Sequence, residues 1–193
     1  MAGSFKLTQV NVVFRVGVGM ESRLLKQKGK GEWTHVGILI SGIMFESVPD
    51  RESQAGGVVK SFPETFWSRE KSVQSAFITF FLDPRQKESL LEWCELLVSK
   101  RLPFDNTYDL SCDDKMYCSE FVYKAFRHIG LLLCHGPFAE IHIPFAGDRR
   151  VIFPSDLIGG RPLYFGTPFC LWADHPLEAS GENPPDICVP GFP

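Results

Sequence analysis

The apolar pattern along the chain divides it into a strand-rich first half and two helices. Residues 7–16 (LTQVNVVFRV) are an apolar, β-branched run and predict a buried strand. Two short strand patterns follow at 34–40 (THVGILI) and 43–48 (IMFESV), with Ser41-Gly42 between them as a two-residue hairpin turn. Residues 49–72 are rich in turn formers, and a further strand is predicted at 76–82 (AFITFFL). Asp83-Pro84 then opens a helix: Asp83 suits the cap, Pro84 the first helical position, and Gln86 completes a capping box. Leu90, Leu91, Cys94, Leu97 and Val98 recur at helical spacing, and Pro103 ends the segment. After an acidic, irregular stretch (104–117), a second helix is predicted from about Cys118 to Ile129, with Phe121, Val122, Ala125, Phe126 and Ile129 as its apolar stripe and Gly130 as its stop. Residues 131–160 are mixed, with turn signals at Gly136-Pro137 and Gly147-Asp148. No internal repeat is visible.

Length and composition narrow the picture. The 193 residues suffice for one domain with a real core, at 44% hydrophobic and 22% charged, which excludes wholesale disorder. The expected division is a folded domain over residues 1–160 and a tail over 161–193, whose seven prolines argue against regular structure. With 20 basic and 23 acidic residues, formal net charge −3, no positive field exists to hold nucleic acid or an anionic membrane as the main partner. The basic segment within 19–33 reads as a solvated loop, or as a flap over a ligand. No apolar stretch approaches the ~20 residues that span a bilayer. The first ten residues lack the pattern of a secretory signal, so the expectation is a protein made in the cytoplasm. Its six cysteines include no Cys-x-x-Cys pair, which speaks against a zinc ribbon, and are expected to be reduced thiols.

Two features carry chemistry. Cys118 opens the second helix, where orphan backbone N–H groups and the helix dipole favour a thiolate and offer donors to an oxyanion. Read alone, a cysteine is far more often simply a small buried side chain. The other feature is the hairpin. With Ser41-Gly42 as the turn, residue 40 pairs with 43 and 35 with 48, so His35 and Glu46 share one face as diagonal neighbours, roughly 7–8 Å apart at the backbone. Val36, Ile38 and Ile40 face the opposite side, a core. A carboxylate at 46 can hold one imidazole nitrogen and leave the other for a thiol, the base-and-orienter logic of a triad. Alone, His35 reads as a structural histidine and Glu46 as a solvated strand residue. His128, in the last turn of its helix, reads as structural, and His135, His142 and His175 have no defined partner.

These residues resemble a known family. THVGILI, FES, FDNTYDLSCDDKMYCSEFVYKAF and FPSDL are similar to the YiiX/YebB-like group, circularly permuted relatives of the NlpC-type cysteine hydrolases, over roughly residues 7–158. The resemblance implies an α+β, permuted papain-like fold, an antiparallel sheet packed against helices. It implies Cys118 as nucleophile, His35 as general base and Glu46 as orienting residue. Tyr117 and Ser119 flank the nucleophile as in the family, and the Cys118 N–H would join the oxyanion hole. Glu120 matches the Cys-Ser-Glu motif, where it would pair with a basic group or cap the helix. Pro154–Leu157 matches a supporting segment. The sequence departs from the family at Val10-Asn11, where Gly-Asp is usual, and at Phe104, where a Tyr is usual; Tyr108 is the candidate to replace that hydroxyl.

The expected activity is thiol-based hydrolysis of an amide without metal or organic cofactor. The resemblance implies peptidoglycan stem peptides as substrate. A wall substrate without a leader is reconciled by an effector toxin delivered through a type VI secretion apparatus into a target periplasm, with an immunity protein as partner. The alternatives are a lipid or acyl-amide hydrolase or acyltransferase, and a binding module with a degenerate site.

Overall fold

The apolar run near the start of the chain becomes the strand on which the sheet is built. A computed structural model describes residues 7–17, 32–50, 56–143 and 145–168. Strand β1 (Thr8–Gly17) pairs along most of its length with β2 (His35–Ile40) on one side and β5 (Ser72–Leu82) on the other. Strands β3 (Ile43–Val48) and β4 (Gly57–Ser61) continue the meander beyond β2, and β8 (Tyr164–Phe165) closes the far edge, giving the antiparallel order β4-β3-β2-β1-β5-β8. A separate hairpin joins β6 (Ala139–Ile143) to β7 (Gly147–Val151). A one-turn helix α1 (Pro63–Phe66) precedes β5, followed by α2 (Pro84–Ser99) and α3 (Cys118–His128).

Alternation along β1 and β2 divides the core in two. Val10, Val12, Phe14, Val36, Ile38 and Ile40 face the two long helices, meeting Leu90, Cys94 and Leu97 of α2 and Phe121, Val122, Ala125 and Phe126 of α3. On the other face Val13, Leu39, Met44 and Phe77 form a smaller cluster around Phe66 of α1. Helix α2 starts as its sequence dictates: Asp83 Oδ1 accepts from Arg85 N at 2.8 Å and Gln86 N at 2.9 Å, and Asp83 N donates to Gln86 Oε1 at 3.3 Å.

Several details differ from the sequence reading. Strand β4 and α1 occupy part of the turn-rich 49–72, because a five-residue edge strand opened by a glycine carries almost no periodic signal. Tyr164–Phe165, inside the proline-rich tail, pair with Phe77 and Ala76 of β5. Of the expected basic loop only Glu32 and Trp33 are described, and Trp33 is buried against Phe14 rather than solvated. No helix among the described residues is long and apolar enough to cross a membrane. The fold is α+β, with an antiparallel sheet and few helices.

The buried Phe126 ring, 4.6 Å between centroids from Phe80, couples α3 to β5. Phe126→Ala is expected to lower the unfolding free energy by about 3–5 kcal/mol, read from the urea midpoint at unchanged slope.

Candidate functional site

The site begins with the β2–β3 hairpin. Ser41 and Gly42 have φ of 51° and 80°, the pair of positive values that a tight two-residue turn requires. Ile40 therefore pairs with Ile43 and Gly37 with Glu46, which sets Glu46 diagonal to His35. The side chains close the diagonal, with His35 Nε2 2.7 Å from Glu46 Oε2. Gly37 makes room for this. A Cβ there would meet the Met44 methyl and lie 2.7 Å from the Phe45 carbonyl oxygen and 3.3 Å from Glu46 Cβ.

Glu46 is 2% exposed and is met from three other strands. Ser61 Oγ of β4 donates to Oε1 at 2.7 Å, and Arg15 Nη2 of β1 lies 3.6 Å from Oε2. Arg15 also donates to the Phe66 carbonyl at 3.0 Å, with its guanidinium 4.5 Å from the centre of the Phe66 ring. That ring is 5.6 Å from the imidazole of His35. Burial alone would raise the Glu46 pKa, but His35, Arg15 and Ser61 outweigh it and bring it down to about 2. For His35 burial comes first and the Arg15 cation second; together they outweigh Glu46 and lower its pKa, which favours the neutral imidazole. A neutral ring donating Nε2–H to a carboxylate leaves Nδ1 with a free lone pair.

Cys118 is the first residue of α3, and the start of that helix is pinned on several sides. Tyr117 Oη accepts from Ile152 N at 3.0 Å, Ser119 Oγ donates to Ile152 O at 2.6 Å, and Ser47 Oγ of β3 donates to Met116 O at 2.6 Å. The sulfur lies in the main core, where the N–H of Val36, the peptide that follows His35, favours its ionised form. Burial raises the thiol pKa against the lowering effect of the Val36 and Ser119 donors and of Arg15. Sulfur and imidazole thus converge on the peptide joining residues 35 and 36. They do so from the two faces of the sheet, since Val36 packs with Cys118 while His35 packs with Phe66.

The flanking residues resolve into supports. Glu120 is fully buried; its Oε2 accepts from Tyr117 N at 3.3 Å and its Oε1 lies 2.8 Å from Lys124 Nζ, so it both caps the helix and pairs with a cation. Burial outweighs Lys124 and raises its pKa to about 7. The Tyr108 ring is tilted against that of Tyr117, 4.9 Å between centroids, in a cluster with Val151 and Phe153. Asp105 organises the preceding loop by accepting from Thr107 N, Thr107 Oγ1, Asp109 N and Lys115 Nζ. The Pro154–Ile158 turn of 3₁₀ helix buries Leu157 under α3. His128 meets Ser89 and stacks on Trp93, while His142, expected to lack a partner, has Asp148 Oδ1 2.9 Å from its Nδ1 on the exposed hairpin. Cys94, Cys112, Cys118 and Cys134 are free thiols; Cys170, Cys188 and His175 lie outside the described residues.

Arg15, Ser61 and Phe66 were not singled out by sequence. The one available signal was Arg15, a lone cation inside the apolar run VNVVFRV.

No protein-family model matches the chain, and no curated protein matches it. Among solved structures, the chain is similar to the metalloprotein YiiX from Escherichia coli O157:H7, a DUF1105 protein. The two align with a TM-score of 0.61 at 16% sequence identity, over 83% of this chain and 96% of that one. The likeness establishes a shared fold. The donor set around His35 does not suit a metal ion here. The carboxylate of Glu46 is taken by His35, Ser61 and the Arg15 cation, and among the described residues no three His, Cys, Asp or Glu are grouped to hold one.

A carboxyl group whose pKa falls from 4.5 to about 2 on folding contributes stability that is present above the first value and lost as pH falls through the second. Acidification across that window is expected to remove about 3 kcal/mol in the native protein. In Glu46→Gln the same window, followed by urea unfolding at each pH, should be correspondingly flatter.

Proposed function

We propose that the protein is a cysteine-dependent acyl hydrolase of permuted papain-like type, with Cys118 as nucleophile, His35 as general base and Glu46 as the residue that orients the base. The observation that carries this reading is the 2.7 Å contact of Glu46 with His35 Nε2, next to Val36, which shares a core cluster with Cys118. With Nε2 engaged, Nδ1 is the nitrogen left to receive a proton.

In this reading both groups are uncharged at rest, because burial raises the thiol and lowers the imidazole. Substrate binding brings a carbonyl to the start of α3. The thiol proton passes to Nδ1 as sulfur attacks, and the imidazolium that forms is stabilised by the Glu46 carboxylate. The backbone N–H of Cys118, at the positive end of α3, faces the developing oxyanion. His35 then returns the proton to the leaving amine or alcohol, and water, activated by the same ring, releases the acyl group.

An amide in a peptidoglycan stem peptide is the first substrate class to test. An acyl lipid is the second substrate class to test.

The test is incubation with purified sacculi and, separately, with acyl-lipid vesicles, with products read by mass spectrometry. Cys118→Ala is expected to lower turnover by about 10⁴-fold or more while leaving the melting temperature close to that of the parent. Turnover undiminished in that variant would remove Cys118 as nucleophile.

A further inference from the structure

We propose that Arg15 is a positioning residue of this site: its guanidinium, held between the Phe66 carbonyl and the Glu46 carboxylate, fixes that carboxylate and sets a permanent cation beside His35 and Cys118. The inference rests on the reading of His35 and Cys118 given above.

A guanidinium only 7% exposed, in a strand otherwise lined by Val, Phe and Asn, is costly unless its surroundings compensate it. The compensation is built in. The Phe66 carbonyl accepts at 3.0 Å, the Phe66 ring lies 4.5 Å away, and Glu46 Oε2 is 3.6 Å from Nη2. That oxygen is the one that contacts His35 Nε2 at 2.7 Å, so carboxylate, imidazole and guanidinium share a single atom. A planar fork that meets a carbonyl and a carboxylate together constrains the carboxylate more than a point charge would.

The cation has a second effect. The charged groups that act on His35 are Arg15 from β1, Glu46 from β3 and Lys71 from the turn ahead of β5, and Arg15 acts on Cys118 of α3 as well. Arg15 disfavours an imidazolium and favours a thiolate, which moves both titrations toward lower pH. The proton exchange between them keeps nearly the same balance, while the pH range in which His35 is available as a base is widened on its acid side.

The test is the rate of iodoacetamide alkylation at Cys118 against pH, mapped by mass spectrometry. In Arg15→Met the midpoint is expected to rise by about one pH unit. Arg15→Lys, which keeps the charge, is expected to stay close to the parent. A Met profile superimposable on the parent's, or a Lys profile displaced as far as the Met one, would overturn the proposal. Should Arg15→Met fail to fold, the imidazole of His35 is titrated by NMR in the parent and in Arg15→Gln. A higher midpoint in the variant is expected, and an unchanged one overturns the role. Loss of the hydrolase reading is seen separately, as turnover that survives Cys118→Ala while the Arg15-dependent midpoints still move.

Discussion

Burying an ionised carboxylate costs several kcal/mol unless the fold supplies donors for it, and Glu46 is the place where this chain meets that cost. Its donors come from β4 and β2, which flank β3, and from β1 beyond β2. Each must be in register for the carboxylate to be satisfied. A slip of one residue in β2 would turn His35 to the helix face and Val36 toward the acid. The polar contact therefore specifies the register of the sheet as well as the orientation of an imidazole.

How much of this was legible in the sequence follows from how local each feature is. The β2–β3 turn, the Asp83 cap and the start of α3 at Cys118 are all encoded within a few residues, and each stands where the pattern puts it. The diagonal of His35 and Glu46 follows from the turn by counting. Arg15, Ser61 and Phe66 reach Glu46 or His35 only through the pairing of β1 and the placement of β4 and α1. Of these, β4 and α1 left no periodic trace. The side from which the sulfur arrives was likewise beyond counting along the strands, because it depends on which face α3 packs against.

The division of the core has a mechanical consequence for the site. The helix face carries the nucleophile candidate, held by Ser47, Tyr117 and Ser119 to β3 and to the segment after β7. The opposite face carries the histidine, the acid and the arginine under α1. The two faces come together at the first residues of β2, at the peptide that joins His35 to Val36. Rigidity of this strand end sets the geometry on both sides at once.

Finally, β8 is only two residues long, yet it occupies the outer flank of β5, where Gly166 N also donates to Ser75 O at 2.9 Å. The pairing caps the middle of that flank, where bare main-chain groups would be open to another strand, while Val73 and Phe81 on either side stay exposed. The short tail strand thus shields the part of β5 around Ser75, Ala76 and Phe77.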